Sequence, residues 1–365
     1  MKICFLAHAA SIHTRRWTAY FRDRGHQVSL VSLTPANSEP GIDLHLLPAP
    51  RRISYERTNW HYLVRLPQLW ATVRKIQPDL LNAHFLSSYG LLAALIRPRR
   101  CPLVISLHGS DILVIPKRSW LHQQAARFAL DQAHLITSVA QHMSQIVVDY
   151  VTADKPILTL QYGVDTNCFY PISVDGAARI PLCISNRAMV STSNLETILL
   201  AARALKQSES PLRVQMIGGG DLSADLKKMA TELELEDQVS FVGQIVPSQM
   251  AETLRSAALY VSMSRSDGTS LSVLEAMACG AFPVVSDIPA NREWITNGVN
   301  GYLVSPDSAT ELAEKLDRAW HQPDLRETAA VYNWSLIREK GDYQTNMHRI
   351  ETAFEALLKK IHNSK

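Results

Sequence analysis

Short apolar runs alternate with amphipathic stretches along the whole chain. The runs fall at 2–6, 28–33, 80–82, 103–106, 135–138 and 157–160, and again at 182–185, 213–217, 239–242, 259–262 and 282–285. Between most of them lie helix-length segments, among them 14–24, 121–131, 140–151, 195–206 and 223–234. Strands that alternate with helices predict parallel sheets covered by helices on both faces. The rhythm breaks near 162–181, where Tyr162-Gly163-Val164-Asp165 reads as a turn-rich strand exit and Pro171 and Pro181 bracket a stretch with little periodicity. Two series therefore predict two Rossmann-like, doubly wound α/β domains, residues 1–170 and 171–344. The end of the chain, 345–365, has Met347, Ile350, Phe354, Leu357, Leu358 and Ile361 at helical spacing. It predicts an amphipathic helix packed on a neighbouring surface, with the N-terminal domain as a candidate.

Length agrees with this division, since 365 residues exceed what one hydrophobic core usually serves. No segment approaches a transmembrane span, and Lys2-Ile3-Cys4-Phe5-Leu6 is too short for a signal-peptide core. Five cysteines without paired spacing fit a reducing cytoplasm and argue against a cysteine zinc site. Charge is uneven. Residues 1–170 carry 18 Lys and Arg against 10 Asp and Glu, and residues 171–365 carry 19 against 24. The basic half suits an anionic partner. No nucleic-acid-binding motif accompanies the charge, so nucleic acid is not the expected partner. Within 51–75, Arg51, Arg52, Arg57, Arg65, Arg74 and Lys75 interleave with Trp60, Tyr62, Leu63, Leu66, Leu69 and Trp70. Two readings stand: a peripheral face on an anionic membrane, or a solvated helix whose apolar side enters the core, the second being preferred.

In open parallel sheets ligands bind beyond the carboxyl ends of strands, so loops after strands hold the candidate chemistry. The most informative runs from Ser266-Asp267-Gly268-Thr269-Ser270-Leu271-Ser272 into Val273-Leu274-Glu275-Ala276-Met277-Ala278-Cys279-Gly280. A small polar loop feeding a helix N-terminus offers N–H groups and a favourable dipole to phosphate, and its carboxylates can accept hydrogen bonds from hydroxyls. The same residues also fit a plain capping box, Ser272 with Glu275. Elsewhere, His108-Gly109-Ser110-Asp111 follows one strand, His84 ends another, and His13 and Arg15 follow the first. In the second half Arg187 follows a strand, and its planar guanidinium suits a diphosphate. Gly218, Gly219 and Gly220 allow close backbone approach, and Phe241-Val242-Gly243 offers backbone to a flat base.

In this order these pieces resemble glycosyltransferase family 4. The signature is Asp267-Gly268-Thr269-Ser270-Leu271 through Leu274-Glu275-Ala276-Met277-Ala278-Cys279-Gly280. It is supported by Gly163-Val164-Asp165 with Phe169 and Pro171, by His108-Gly109-Ser110-Asp111, by Arg187, and by Gly218 and Gly220. The resemblance implies a GT-B fold, two Rossmann-like domains facing an interdomain cleft, with the donor on the second and the acceptor on the first. It implies a retaining, metal-independent transfer from a nucleoside-diphosphate sugar, a UDP-sugar being favoured, to a carbohydrate or lipid-linked acceptor. No further cofactor is implied. By the same resemblance Glu275 holds the ribose, Asp267 lies near the hydroxyls of the transferred sugar, and the backbone of Gly268, Thr269, Ser270, Leu271 and Ser272 holds phosphate. Arg187 binds the diphosphate, and His108 lies near the reaction centre.

The chain departs from the family in three places. Where the family has a Lys about five residues after the Arg, Thr192 and Asn194 stand instead, so Arg187 carries more charge or Arg15 or Arg265 assists. Asp267 replaces a Glu, and Ala9-Ala10 replaces a glycine pair. Departure of a nucleoside diphosphate builds charge that Arg187 and backbone N–H groups stabilise. Retention without an evident nucleophile is consistent with front-face attack. Competing readings are a non-hydrolysing sugar-nucleotide epimerase using His108 and Asp111, and a non-catalytic sugar-nucleotide-binding protein. A nicotinamide dehydrogenase lacks its Gly-rich fingerprint after the first strand.

Overall fold

The structure is a computed structural model and describes residues 1–48, 60–171 and 179–363. Its contacts divide the chain into one unit of Met1–Gln161 with Thr345–Lys365 and a second of Tyr162–Gln344. In the first, β1 (Lys2–Leu6), β2 (Gln27–Ser32), β3 (Ile42–Leu46), β4 (Leu80–His84), β5 (Leu103–Ser106), β6 (Leu135–Ser138) and β7 (Ile157–Thr159) form one sheet. The order is β3-β2-β1-β4-β5-β6-β7, parallel throughout. The second unit holds β8 (Ile180–Ser185), β9 (Arg213–Ile217), β10 (Val239–Gly243), β11 (Ala257–Ser262), β12 (Phe282–Ser286) and β13 (Tyr302–Val304). Their order, β10-β9-β8-β11-β12-β13, repeats the same winding and is again parallel. Both are doubly wound Rossmann-type sheets.

Most of the apolar runs became strands buried on both faces, as parallel strands are, whereas the edge strands β7 and β10 are only partly buried. β4, β5, β6, β11 and β12 are buried along their whole length. The two strands absent from the sequence pattern, β3 and β13, lie on sheet edges, where partial exposure admits Asp43 and His45. In the basic stretch, the helix Leu66–Ile76 buries Leu69, Val73 and Ile76, the solvated-helix arrangement, and leaves Trp70 exposed under Arg74. Arg51, Arg52 and Arg57 lie outside the described residues. The five cysteines are unpaired.

The helix Tyr343–Asn363 is anchored to the first unit by stacking and charge. Phe354 stacks on Phe21 with ring centroids 5.5 Å apart. Buried Glu351 accepts from Tyr20 Oη at 3.0 Å and Arg24 Nε at 3.2 Å, and pairs with His26 Nε2 at 2.7 Å. Burial alone would raise the Glu351 pKa, but the bonds from His26, Tyr20 and His348 and the Arg24 charge outweigh it and hold it below its ordinary value.

The division between units falls at Tyr162 rather than at residue 170. The reason is pairing. Val164 bridges Asp342, donates to Gly341 O at 2.7 Å and accepts from Tyr343 N at 2.9 Å, so 162–171 belongs to the second unit. Gly163 (φ 89°) makes this crossing possible, since a Cβ there would lie 2.3 Å from Tyr343 Cα.

Gly163→Ala is expected to cost about 2 kcal/mol or more, read from urea denaturation, because both the backbone angle and the space exclude a side chain. Glu351→Ala is expected to cost roughly 3 kcal/mol at pH 7. A depressed carboxylate pKa contributes stability above its unfolded value, and that contribution is lost as pH falls through the folded value. The gap between wild type and Glu351→Ala should therefore narrow as the denaturation is repeated at successively lower pH below the ordinary carboxylate range.

Candidate active site

Strand order in the second unit reverses between β8 and β11, and a crevice opens beyond their carboxyl ends at such a point. The loop after β8 brings Arg187 there, and the loop after β11 brings 263–270. Arg187 Nη2 bonds Asp267 Oδ2 at 2.7 Å, while Nη1 donates to Ser270 Oγ at 2.7 Å and Ser272 Oγ at 3.2 Å. The two charged side chains are 19% and 18% exposed, so the pair is shielded but reachable. Burial works to lower the Arg187 pKa, but the Asp267 charge, the neighbouring Tyr260 and the hydrogen bond to Asp267 together outweigh it, so the guanidinium stays charged. Tyr260 Oη donates to Ser272 Oγ at 3.0 Å; burial pushes this phenol up to about 12, so it remains a donor.

The capping box does not form. The helix begins at Leu271, Ser270 stands at its N-cap, and no side-chain bond caps it. The serine hydroxyls are spent on Arg187 and Tyr260 instead. An uncapped helix start beside a fixed guanidinium has the geometry and charge that suit an anion. Ser185 Oγ, Asn186 Oδ1, Arg187 Nε and Ser264 Oγ are buried without a hydrogen-bond partner. Buried polar groups are seldom left unpaired in a finished interior, and these four lie at the switch point. Ser185, Asn186, Ser264 and Tyr260 are the residues that sequence reasoning missed. Their signal was only that each sits in or just after a strand that turns out to be central.

The remaining residues named from sequence in the second unit are placed differently with respect to this cluster. Gly268 is buried and Thr269 half-buried in the loop; Leu271 packs on the core; Glu275 is half-buried one turn into the helix. A Cβ on Gly218 (φ 130°) would lie 2.9 Å from Arg187 O, and one on Gly220 would lie 2.4 Å from Met189 O, so these glycines seat the Arg187 loop. Gly219 has open space on its Cβ side and accepts from Met189 N at 3.0 Å. Gly243 O takes the Gly218 N–H, and the Val242 side chain is exposed.

The position that the resemblance gives to a Lys is filled structurally. Asn194 is buried at φ 52° and its amide donates to Met263 O and Pro306 O, holding the loop after β11. Of the two other cations named from sequence, Arg265 makes an exposed pair with Asp307 at 3.0 Å, and Arg15, in the first unit, makes one with Glu39 at 3.4 Å; such exposed pairs are weak. Among these cations Arg187 is the shielded one, its side chain 19% exposed, whereas Arg265 and Arg15 are about half exposed.

In the first unit the exits of β1, β4 and β5 bring three histidines together. The His108 ring lies 5.0 Å from His84 and 5.6 Å from His13, and stacks on Phe85 at 4.3 Å. Burial first, then the neighbouring His84 and His13, keeps His108 far below its ordinary pKa, and burial drives His84 down to about 3. Both are neutral at pH 7. Asp111 is not a partner in acid–base chemistry. Its buried carboxylate accepts from Gly109 N at 2.8 Å, Leu86 N at 2.9 Å and His108 N at 3.1 Å, and so ties two loops together. The acid–base pair that an epimerase would need is thereby lost.

Residues 180–333 match the family model of glycosyl transferases group 1, and residues 2–140 match that of glycosyl transferase 4-like proteins. The chain belongs to the group 1 glycosyltransferases. Among curated relatives of this glycosyltransferase, N-acetyl-alpha-D-glucosaminyl L-malate synthase of Bacillus anthracis is 22% identical over 79% of this chain and 77% of its own length. GDP-mannose:cellobiosyl-diphosphopolyprenol alpha-mannosyltransferase of Xanthomonas oryzae is 25% identical over 83% and 82%. Sucrose-phosphate synthase from Thermosynechococcus elongatus shares the fold at TM-score 0.84, 16% identity, over 99% of this chain and all of that one. Anabaena HepE in complex with UDP-glucose does so at TM-score 0.79, 18% identity, over 98% and all. The fold of the glycosyltransferase is GT-B.

Removing the guanidinium should expose the cost of the half-buried carboxylate. Arg187→Leu is expected to lower stability by roughly 2 kcal/mol, with Asp267→Asn in the same chain recovering most of it. Chemical denaturation of the single and double variants measures this.

Proposed function

We propose that this glycosyltransferase moves a sugar from a nucleoside-diphosphate sugar, a UDP-sugar being favoured, to a hydroxyl of a carbohydrate or lipid-linked acceptor. One observation carries the reading: a charged Arg187, fixed by Asp267 and two serines, beside an uncapped helix start and four unpartnered polar atoms at the β8–β11 switch point. The departing diphosphate gathers negative charge as the glycosidic bond breaks. Donors already held in place stabilise that charge without reorganising, which lowers the barrier. The serine hydroxyls now bonded to Arg187 are bonds a phosphate oxygen can replace in kind.

We infer that the reaction needs no metal and retains configuration. The charge a metal would neutralise is met by Arg187 and the helix N-terminus. Among the described residues, the His, Cys, Asp and Glu side chains clustered closely enough to hold an ion are His26, Glu351 and Glu355 in the first unit, and Glu351 there is occupied by four donors. Asp267 has one oxygen committed to Arg187, which suits a holder of the donor rather than a nucleophile. Attack from the face the diphosphate leaves, with that phosphate taking the acceptor proton, is the remaining route to retention. Neutral His108 supplies a hydrogen bond to the donor sugar. The relatives named above act on a GDP-mannose donor and a diphosphopolyprenol acceptor in one case, and a solved neighbour holds UDP-glucose in another, which supports a nucleotide-sugar donor in general. An acceptor carried at an anionic membrane face suits the basic first half. Among the described residues no helix is long and apolar enough to cross a membrane.

A thermal-shift screen of UDP-, GDP- and ADP-sugars tests the donor, since a ligand that binds only the native state raises its melting temperature. Arg187→Ala and Glu275→Ala are expected to abolish the shift. His108→Ala should keep it and lower turnover roughly a hundredfold. A shift that survives in both Arg187→Ala and Glu275→Ala would overturn the assignment.

A further inference from the structure

Phe85, the first residue past β4, has φ 69°, in the left-handed region. Bulky side chains rarely adopt it, because Cβ crowds the backbone. The same residue opens a stretch of π-helix, Phe85–Gly90, a winding found mostly at functional sites. Strain of this kind persists only where the surroundings impose it. Here they do. Before Phe85, the end of β4 is held by buried bonds running from Thr137 Oγ1 to Ser106 Oγ at 2.8 Å, from Asn82 Nδ2 to Ser106 Oγ at 2.9 Å, and between His84 Nε2 and Asn82 Oδ1 at 3.0 Å. Directly after it, Leu86 N is clamped by Asp111, the carboxylate that also takes the backbone N–H of His108 and Gly109.

Glycine would satisfy this backbone without strain, so the phenyl ring must serve something that outweighs the cost. Core packing is a weak answer, since Phe85 is only half-buried. Its ring lies face to face with His108, centroids 4.3 Å apart and planes within 15°. Stacking occupies one face of the imidazole and leaves its edge, where both nitrogens lie, to hydrogen bonding. A neutral imidazole donates from one nitrogen and accepts at the other, so its orientation decides what it can do.

We propose that Phe85 is a positioning residue whose strained backbone holds its ring as a platform that orients His108 for the transfer step. This rests on the reading of His108 given above. Three substitutions separate platform from packing: Phe85→Leu keeps apolar bulk without a plane, Phe85→Gly relieves the strain, and Phe85→Tyr restores the plane. The assay is release of nucleoside diphosphate from UDP-glucose, UDP-N-acetylglucosamine or GDP-mannose, using whichever of these probes gives the largest thermal shift. Phe85→Gly and Phe85→Leu should lower kcat roughly tenfold or more with donor KM within about twofold, and Phe85→Tyr should restore kcat. Melting of Phe85→Gly should stay near wild type, because relieved strain offsets lost contact. In a His108→Ala background Phe85→Leu should produce no further fall. A readout free of substrate is the NMR signal of the His108 ring protons, identified by its loss in His108→Ala. The phenyl ring current holds it upfield, and Phe85→Leu should move it downfield. Wild-type kcat in Phe85→Leu alongside a loss in His108→Ala would overturn the platform and leave the reading of His108 intact, as would losses that add in full. Turnover untouched by His108→Ala would overturn both.

Discussion

A strand in a parallel sheet cannot turn back on itself, so every connection must cross over and every carboxyl end reaches the same edge. Both sheets of this protein obey that constraint without exception among the described strands. It concentrates Arg187, Asp267 and Ser264 at one edge of the second unit and His13, His84 and His108 at one edge of the first. In each unit the order reverses once, at β1–β4 and at β8–β11. Helices leave opposite faces there, and polar side chains from sequence-distant loops meet at the strand ends.

Three carboxylates show how the same chemical group is put to different use by its donors. Glu351 and Asp111 are buried and saturated, the first by side chains on two helices and beside them, the second by three backbone N–H groups. Both hold segments together, although burial raises the Asp111 pKa against its backbone bonds while donors win at Glu351. Asp267 differs, with one strong partner and a fifth of its side chain exposed. A saturated carboxylate has nothing left to offer a ligand; a half-engaged one can exchange bonds. That difference, rather than residue type, separates architecture from site here.

The legibility of the sequence followed the same division. Central strands were readable because burial on both faces writes an unbroken apolar run. The edge strands β3 and β13 were not, although the other two edges, β7 and β10, were read from their apolar runs. Ser272 and Glu275 have the spacing of a capping box, yet Arg187, 83 and 85 residues before Ser270 and Ser272, takes the hydroxyls. Asn194 looked like a missing cation and proves to be a buried amide tying Met263 to Pro306. Asp111 looked like an acid–base group and is a clamp. For Ser272 and Asn194 the deciding partners are remote in sequence, while Asp111 is held by two N–H groups within three residues and by Leu86 N 25 residues away.

By itself the sequence determined the fold class, the alternation of most strands with helices and the loop that leads into the helix at Leu271, because periodicity, glycine and proline act within a few residues. It also named Arg187, Asp267 and His108 as chemistry-bearing. Tertiary structure alone decided which of them engage each other: the Arg187–Asp267 pair, the unpartnered Ser185 and Ser264, and the phenyl ring beneath His108. The physical reason is range. Backbone preference is local, whereas hydrogen bonding, charge pairing and ring stacking depend on distances that only the folded crossovers set.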